Sequence, residues 1–447
     1  MGWAGEELAT IDLGDRRLDR RAIRLAGHLG DAPSASIPDA CGGWADTQGA
    51  YRLLNHARIG WREILAPHFE RTAERMAARA VVLCVNDTTE LDFKGKTIRG
   101  LGPLSYEAQR GMYLHPTYAI APDREPLGVI DAWMWAREPK GKDGRRPATI
   151  VESQRWLDGY ERVAEQAMSM PDTELVYVGD READIGALIG LGAKLGWAAD
   201  LLVRSCHDRA LPEGTGKRLW ATVLASEPVG GLRFVQAARH GVKAREVHQL
   251  LYAKRVSIRT ARSKASAVEV TCLIAKEIDA PAGVKPLEWR LLTNRTAETL
   301  EELVELIDWY RARWEIEMLF NILKTGCRVE ALQLASMVKI ETMLAFYLIV
   351  SWRIDRLMRL GRTCPELAAD VCFEREEWEA SFILRGKPVP EGMPTVNEVV
   401  RSIAGCGGFL MRKGDGEPGA QTLWRGLTKV RAFVQGRRYE RELAGVP

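Results

Sequence analysis

Two runs of the chain, AVVLCVND ending at Asp87 and ELVYVGD ending at Asp180, constrain its fold more than any other feature. Each is a continuous apolar stretch rich in β-branched residues. That is the pattern of a strand buried on both faces, hence of a sheet with cover on both sides. Each leaves a carboxylate at the carboxyl end of its strand, where open α/β sheets place their sites. A third run, residues 201–205, brings Arg204 near its own end. Residues 113–121 and 127–135 are two further strand candidates, divided by the turn signal PDREP. The expected class is therefore α/β.

Around this core the texture changes. The chain has 447 residues, room for two or three domains. Residues 1–79 read as a helical module. It comprises a basic helical stretch over 5–30, a Ser/Pro break over 33–38, and helical stretches at 48–55 and 61–79. Residues 80–339 form the expected α/β core domain, with a helix over 150–168 and another opened by DREADIGALIGLGAKLG. A positive connection is expected over 138–147. A β-rich insertion is expected at about 206–286, from strand-like pieces at 232–237, 244–252, 256–259 and 268–274 and basic turns such as 259–264. Residues 340–447 read as mostly helical.

Net charge is only +3, which by itself does not mark a nucleic-acid binder. Clustering is more informative. Arg16, Arg17, Arg20 and Arg21 crowd the first helical stretch, as suits phosphate contacts. A solvated helix with Asp15 and Asp19 as partners has the same composition. The eight cysteines form no C-x-x-C pair, which speaks against a zinc module or disulfide framework and for reduced thiols in a cytoplasm. The N-terminus has no apolar signal core. The most apolar run, residues 343–350, is too short to span a bilayer, so no membrane partner is expected.

The run WYRARWEIEMLFNILKTG supplies the remaining chemistry. Thr299 and Glu302 have capping-box spacing. The spacing predicts a helix from there to Lys324, with Gly326 as its stop. At about 100° per residue, Tyr310, Arg313, Glu317 and Lys324 fall within roughly 60° of one another. An i, i+4 Arg–Glu pair on a solvated face has this spacing too. Glu315 lies roughly 160° from Glu317 on such a helix, away from Arg313 and Lys324. Three acids, Asp87, Asp180 and Glu317, would repel one another if gathered without a cation. Together they suit an oxygen-ligated ion, Mg2+ with Mn2+ as a substitute. Two such ions about 3.5–4 Å apart serve phosphoryl transfer.

VNDTTEL, VGDREADI and the Y-x-x-R-x-x-x-E-x-x-x-x-x-x-K run from Tyr310 to Lys324 together resemble the DDE transposases with a ribonuclease H-like mixed-sheet core. More narrowly, they are similar to the cut-and-paste insertion-sequence group with the Y-R-E-K signature. LGDRRLDRR, QGAYRLL, VRSCH, LEWRLLT and the GGFL and LWRGL pieces extend the likeness over nearly the whole chain. Cys206 and Asn321 depart from it, standing where lysine is found in the family.

The resemblance implies a metal-binding triad of Asp87, Asp180 and Glu317. It implies phosphate contacts from Tyr310, Arg313 and Lys324, a DNA contact from Arg204, and a flipped base stacked on Trp289. Residues 1–79 would bind the transposon end, and residues 340–447 would dimerise, around 424–434. The partners implied are double-stranded DNA, both inverted-repeat ends and target, and a second copy of the chain, on the nucleoid of a bacterial cell. The implied reaction nicks one strand, forms and opens a hairpin, and joins the freed 3′-hydroxyls to target DNA. A catalytically silent DNA-binding relative or inhibitor, and a nuclease that cuts without joining, are the alternatives. Trp289 as a core residue beside a strand, and Asp180 as a helix N-cap, are the alternatives at single positions.

Overall fold

The computed structural model describes residues 2–94, 97–141, 151–212, 218–236, 244–260 and 267–445. In chain order the N-terminal helices are α1 (Trp3–Glu7), α2 (Arg16–Asp31), α3 (Ile37–Cys41), α4 (Trp44–Leu54) and α5 (Trp61–Ala77). Strands β1 (Val81–Asn86), β2 (Thr89–Asp92), β3 (Gly102–Pro103), β4 (Arg110–Ile120) and β5 (Pro126–Trp135) follow. Next come α6 (Gln154–Ser169), β6 (Glu174–Gly179), α7 (Gly186–Lys194), β7 (Asp200–Arg204) and α8 (Leu219–Leu224). The strands β8 (Gly230–Gln236), β9 (Arg245–Arg259), β10 (Ala267–Ile278) and β11 (Glu288–Thr293) lead to α9 (Leu300–Ala312) and α10 (Glu315–Asn321). The chain closes with α11 (Met337–Thr363), α12 (Arg375–Leu384), α13 (Val396–Cys406) and α14 (Ala420–Leu443). The fold is mixed α/β, with a mixed sheet at its core and helical N- and C-terminal regions, consistent with a ribonuclease H-like transposase fold.

The chain divides into two compact units, one of Met1–Met76, Thr88–Ile150 and Glu315–Pro447, the other of Ala77–Asp87 and Val151–Trp314. In the second unit β1, β6 and β7 run parallel. β11, β10, β9 and β8 then extend the sheet by antiparallel pairing. The insertion is thus a β ladder continuing the sheet, with one long strand, β9, where two separate pieces were expected. In the first unit β4 pairs antiparallel with β2, β3 and β5. There α11 supplies the longest buried helix, nineteen of its 27 residues being buried. Parts of the 138–147 loop and of the 259–264 turn, and the expected element ends Ile150 and Ala237, lie outside the described residues.

Three expectations about helices need correction. Residues 5–30 hold two helices, because Gly14 takes a left-handed φ of 79° and Asp15 caps α2 by accepting from Arg17 N at 2.8 Å. The 33–38 break already contains a helix start, with Ser36 as its cap and Pro38 in the first turn of α3. The single helix expected from residue 299 to 324 is broken. Its capping box at Thr299 and Glu302 is present. At its far end Arg313 N and Trp314 N reach back three residues, to Tyr310 O and Arg311 O at 3.2 Å each. That tightening ends α9, and α10 starts in a new register. A π-helical turn, Ile322–Gly326, then widens the chain, with Cys327 N bonded to Ile322 O. Gly326 lies inside this turn and does not cap it. A Cβ there would stand 3.1 Å from Trp424 Cε3, so a side chain would press on α14.

Candidate active site at the strand ends

In the second unit the parallel strands align their carboxyl ends. Asn86 is in register with Gly179, and Gly179 with Val203. The next residues along the three strands are therefore neighbours, and they are Asp87, Asp180 and Arg204. The burial that makes β1 and β6 strands is nearly complete. Asp87 and Asp180 are where each chain emerges, half-buried, while Arg204 is exposed.

Helix α9 adds two side chains to this edge. Arg313 Nη1 donates to Asp87 Oδ2, with only 9% of the arginine and 17% of the aspartate side chain exposed. Burial disfavours the guanidinium charge, but Asp87 and Asp180 outweigh it and hold its pKa above the ordinary value. Tyr310 is 6% exposed. Burial raises its phenol pKa against the opposing pull of Arg313 and Arg204, so it stays an O–H donor at neutral pH. Asp87, Asp180, Arg204, Tyr310 and Arg313 thus form one electrostatic cluster drawn from four elements.

Asp180 also accepts from Glu182 N at 2.7 Å, capping a 3-10 turn over Arg181–Ala183, and α7 begins only at Gly186. The capping alternative is therefore true of one oxygen and leaves the second. The acid that the sequence reading missed is Asp184. It is fully buried, and its Oδ2 accepts from Cys206 N at 2.7 Å and His207 N at 2.9 Å. Its Oδ1 pairs with Arg209 at 2.5 Å. Asp184 thereby clasps the segment after β7 to the turn after β6, holding Arg204 beside Asp180. Asp184, Cys206 and His207 are near enough to suggest a metal group, yet both Asp184 oxygens are already engaged. Both acids are present in DREAD, and only strand position separates their roles. Cys206 is exposed, its Sγ 3.2 Å from Arg181 O, with its pKa raised by burial and Asp184.

Trp289 lies half-buried on β11, opposite Ala275. Its ring stacks on Phe234 with centroids 6.0 Å apart and planes at 15°. One face is thus already covered by an aromatic ring.

The first unit holds the rest of the expected set. Glu317 on α10 is exposed and has no hydrogen bond or ion pair among the described residues. Glu315, two residues before it, is buried and pairs with Arg359. Leu319 and Ile322 are fully buried, as the apolar back of the run requires. Lys324 lies in the π turn, so the single helical face projected for all four signature residues is replaced by three segments, α9, α10 and the π turn. Asn321 is exposed at the end of α10.

On α2, Arg16, Arg17 and Arg20 are exposed, and Arg21 is half-buried along Gly49. Among the described residues Asp15 pairs with Arg17, at 3.5 Å, and Asp19 accepts from Leu13 N. The basic face therefore remains largely uncompensated. Residues 1–59 match the family described as transposase DNA-binding, and residues 349–446 match the transposase Tn5 dimerisation domain. These matches support a Tn5-like DNA transposase. The transposase DNA-binding match spans α1 to α4 and includes the α2 arginines. The Tn5 dimerisation match begins inside α11 and runs through α14, supporting a homodimer. No helix among the described residues is long and apolar enough to cross a membrane.

Proposed function

We propose that the chain is a cut-and-paste transposase of the Y-R-E-K group, acting at transposon ends through a hairpin intermediate and joining them to target DNA. The observation that carries this reading is the gathering of Asp87, Asp180, Arg204, Tyr310 and Arg313 at one edge of the sheet. The proposed metal ligands, Asp87, Asp180 and Glu317, offer carboxylate oxygens alone, a donor set that fits Mg2+ or Mn2+. Bound there, the cation would supply Lewis-acid stabilisation of the attacking and leaving oxygens in phosphoryl transfer.

The remaining roles belong to the chain itself. Tyr310, kept protonated by burial, donates its O–H to a phosphate oxygen. Arg313, held charged beside Asp87, orients that carboxylate and presents its remaining N–H groups to the strand. Arg204 and Lys324 add charge along the backbone. Trp289 offers the ring face not stacked on Phe234 to a base leaving the duplex, which compensates lost stacking. Arg16, Arg17, Arg20 and Arg21 hold the end DNA, residues 80–339 form the catalytic domain, and residues 340–447 pair the two copies.

The test is cleavage of labelled end DNA in Mg2+. Asp87→Ala, Asp180→Ala and Glu317→Ala should each abolish cleavage while retaining end binding. Full activity in any of them would sink the assignment. Strand-transfer product separates a transposase from a nuclease that cuts without joining.

A further inference from the structure

Helix α10 is seven residues long, bounded by the tightened turn at Arg313–Trp314 and by the π turn at Ile322. So short a helix has few backbone hydrogen bonds of its own to fix its rotation about its axis. Ile316, Leu319 and Phe320 are buried and pull one side inward. Apolar contacts are non-directional, however, and leave the helix free to roll.

The directional tie is at its first residue. Glu315 is 6% exposed, and its Oε2 accepts from Arg359 Nη2 on α11. Asp355, one turn earlier on α11, is fully buried, and its Oδ2 accepts from Tyr118 on β4 at 2.9 Å. Asp355 Oδ1 and Arg359 Nε have no hydrogen-bond partner. A buried, incompletely satisfied charge network is a poor source of stability, because apolar residues of similar volume do as well or better. What it provides is a fixed direction. Residues two apart on an α-helix are turned about 160° from each other. Tying Glu315 inward therefore turns Glu317 outward, where the structure has it, exposed and unpartnered.

We propose that Glu315 and Arg359 are positioning residues whose ion pair sets the direction of Glu317. The inference rests on Glu317 being a metal-binding acid. It adds that the acid two residues earlier, buried and out of reach of any phosphate, governs how well it binds.

Stability and positioning separate in one variant. The full-length double variant Glu315→Leu/Arg359→Met removes both charges and keeps the volume. It should melt at or above the wild-type temperature and bind end DNA normally without metal. Its Mg2+ requirement for end nicking should nevertheless rise by about 10–100-fold, the range for partners that orient metal ligands. Arg359→Lys, which keeps the charge but loses the planar fork, should fall between the two. A wild-type Mg2+ requirement in the double variant would overturn the positioning role. Glu317→Gln is assayed alongside. If it loses nicking while the double variant behaves as wild type, only this inference falls. If Glu317→Gln still nicks, the metal-site reading falls and this one with it.

Discussion

Charge is used in two opposite ways in this molecule. At the carboxyl ends of β1, β6 and β7, acids and bases are gathered but left partly open. Asp87 holds Arg313, Asp180 has one oxygen on a backbone N–H, and Arg204 is exposed; both acids are only half-buried. Along α11 the charges are closed in, with Glu315 against Arg359 and Asp355 against Tyr118. Both regions have desolvated groups, yet the first keeps half-buried acids and an exposed arginine at its edge. The lesson is that burial of charge does not mark a site.

The strongest way to break that comparison is at the strand ends. Asp87→Ala or Asp180→Ala should lower end cleavage by roughly a thousandfold or more, the scale of losing transition-state electrostatics. End binding in a gel-shift assay should persist. Asp184→Ala tests an enclosed acid lying in the same turn as an open one. It leaves the half-buried Arg209 without its carboxylate partner and two backbone N–H groups unsatisfied. Denaturant unfolding should then show about 3–5 kcal/mol lost. A loss of cleavage without loss of stability would assign Asp184 to the open group instead.

Smaller effects sharpen the same contrast. Arg204→Ala removes an exposed charge and should weaken end binding about tenfold, as for one charge-assisted hydrogen bond, with little change in melting temperature. Replacing Arg16, Arg17 and Arg20 together with Ala should flatten the salt dependence of binding. The slope of log affinity against log salt should fall by about 0.9 for each phosphate that is no longer neutralised.

The smallest effect belongs to the enclosed set. Burial, with Glu315 nearby, raises the Asp355 pKa from 3.8 to about 7. The folded state thus holds that proton more tightly than the unfolded chain. Its stabilising contribution is complete below the unfolded value and is lost as pH rises through about 7. Asp355→Asn, which cannot ionise, should therefore gain more melting temperature over wild type at pH 8 than at pH 5, and none below about pH 3. An equal shift at both would place the effect in packing.

Much of the sheet was legible because a strand buried on both faces must be apolar without interruption. AVVLCVND and ELVYVGD could be little else, and β6 spans the expected 174–179. Asp87, Asp180 and Arg204 were legible for a related reason, since a charged residue directly after such a run has to lie where the strand leaves the core. The α9–α10 run was legible in composition but not in shape. Nothing in WYRARWEIEMLFNILKTG announces i, i+3 bonds at Arg313 and Trp314 or a π turn before Gly326. Around the π turn the packing partner of Gly326 is Trp424, which is distant in sequence.

The sequence by itself determined the strand ends, the acids on them, the basic α2 face and the opposite facing of Glu315 and Glu317. All of these follow from local periodicity and from where charge is tolerated. Tertiary structure alone decided that Asp184 is a clasp, that Trp289 already stacks on Phe234, and that the signature helix is broken. Each of these turns on a partner tens of residues or more away in the chain or across a sheet, and no local pattern encodes such a pairing.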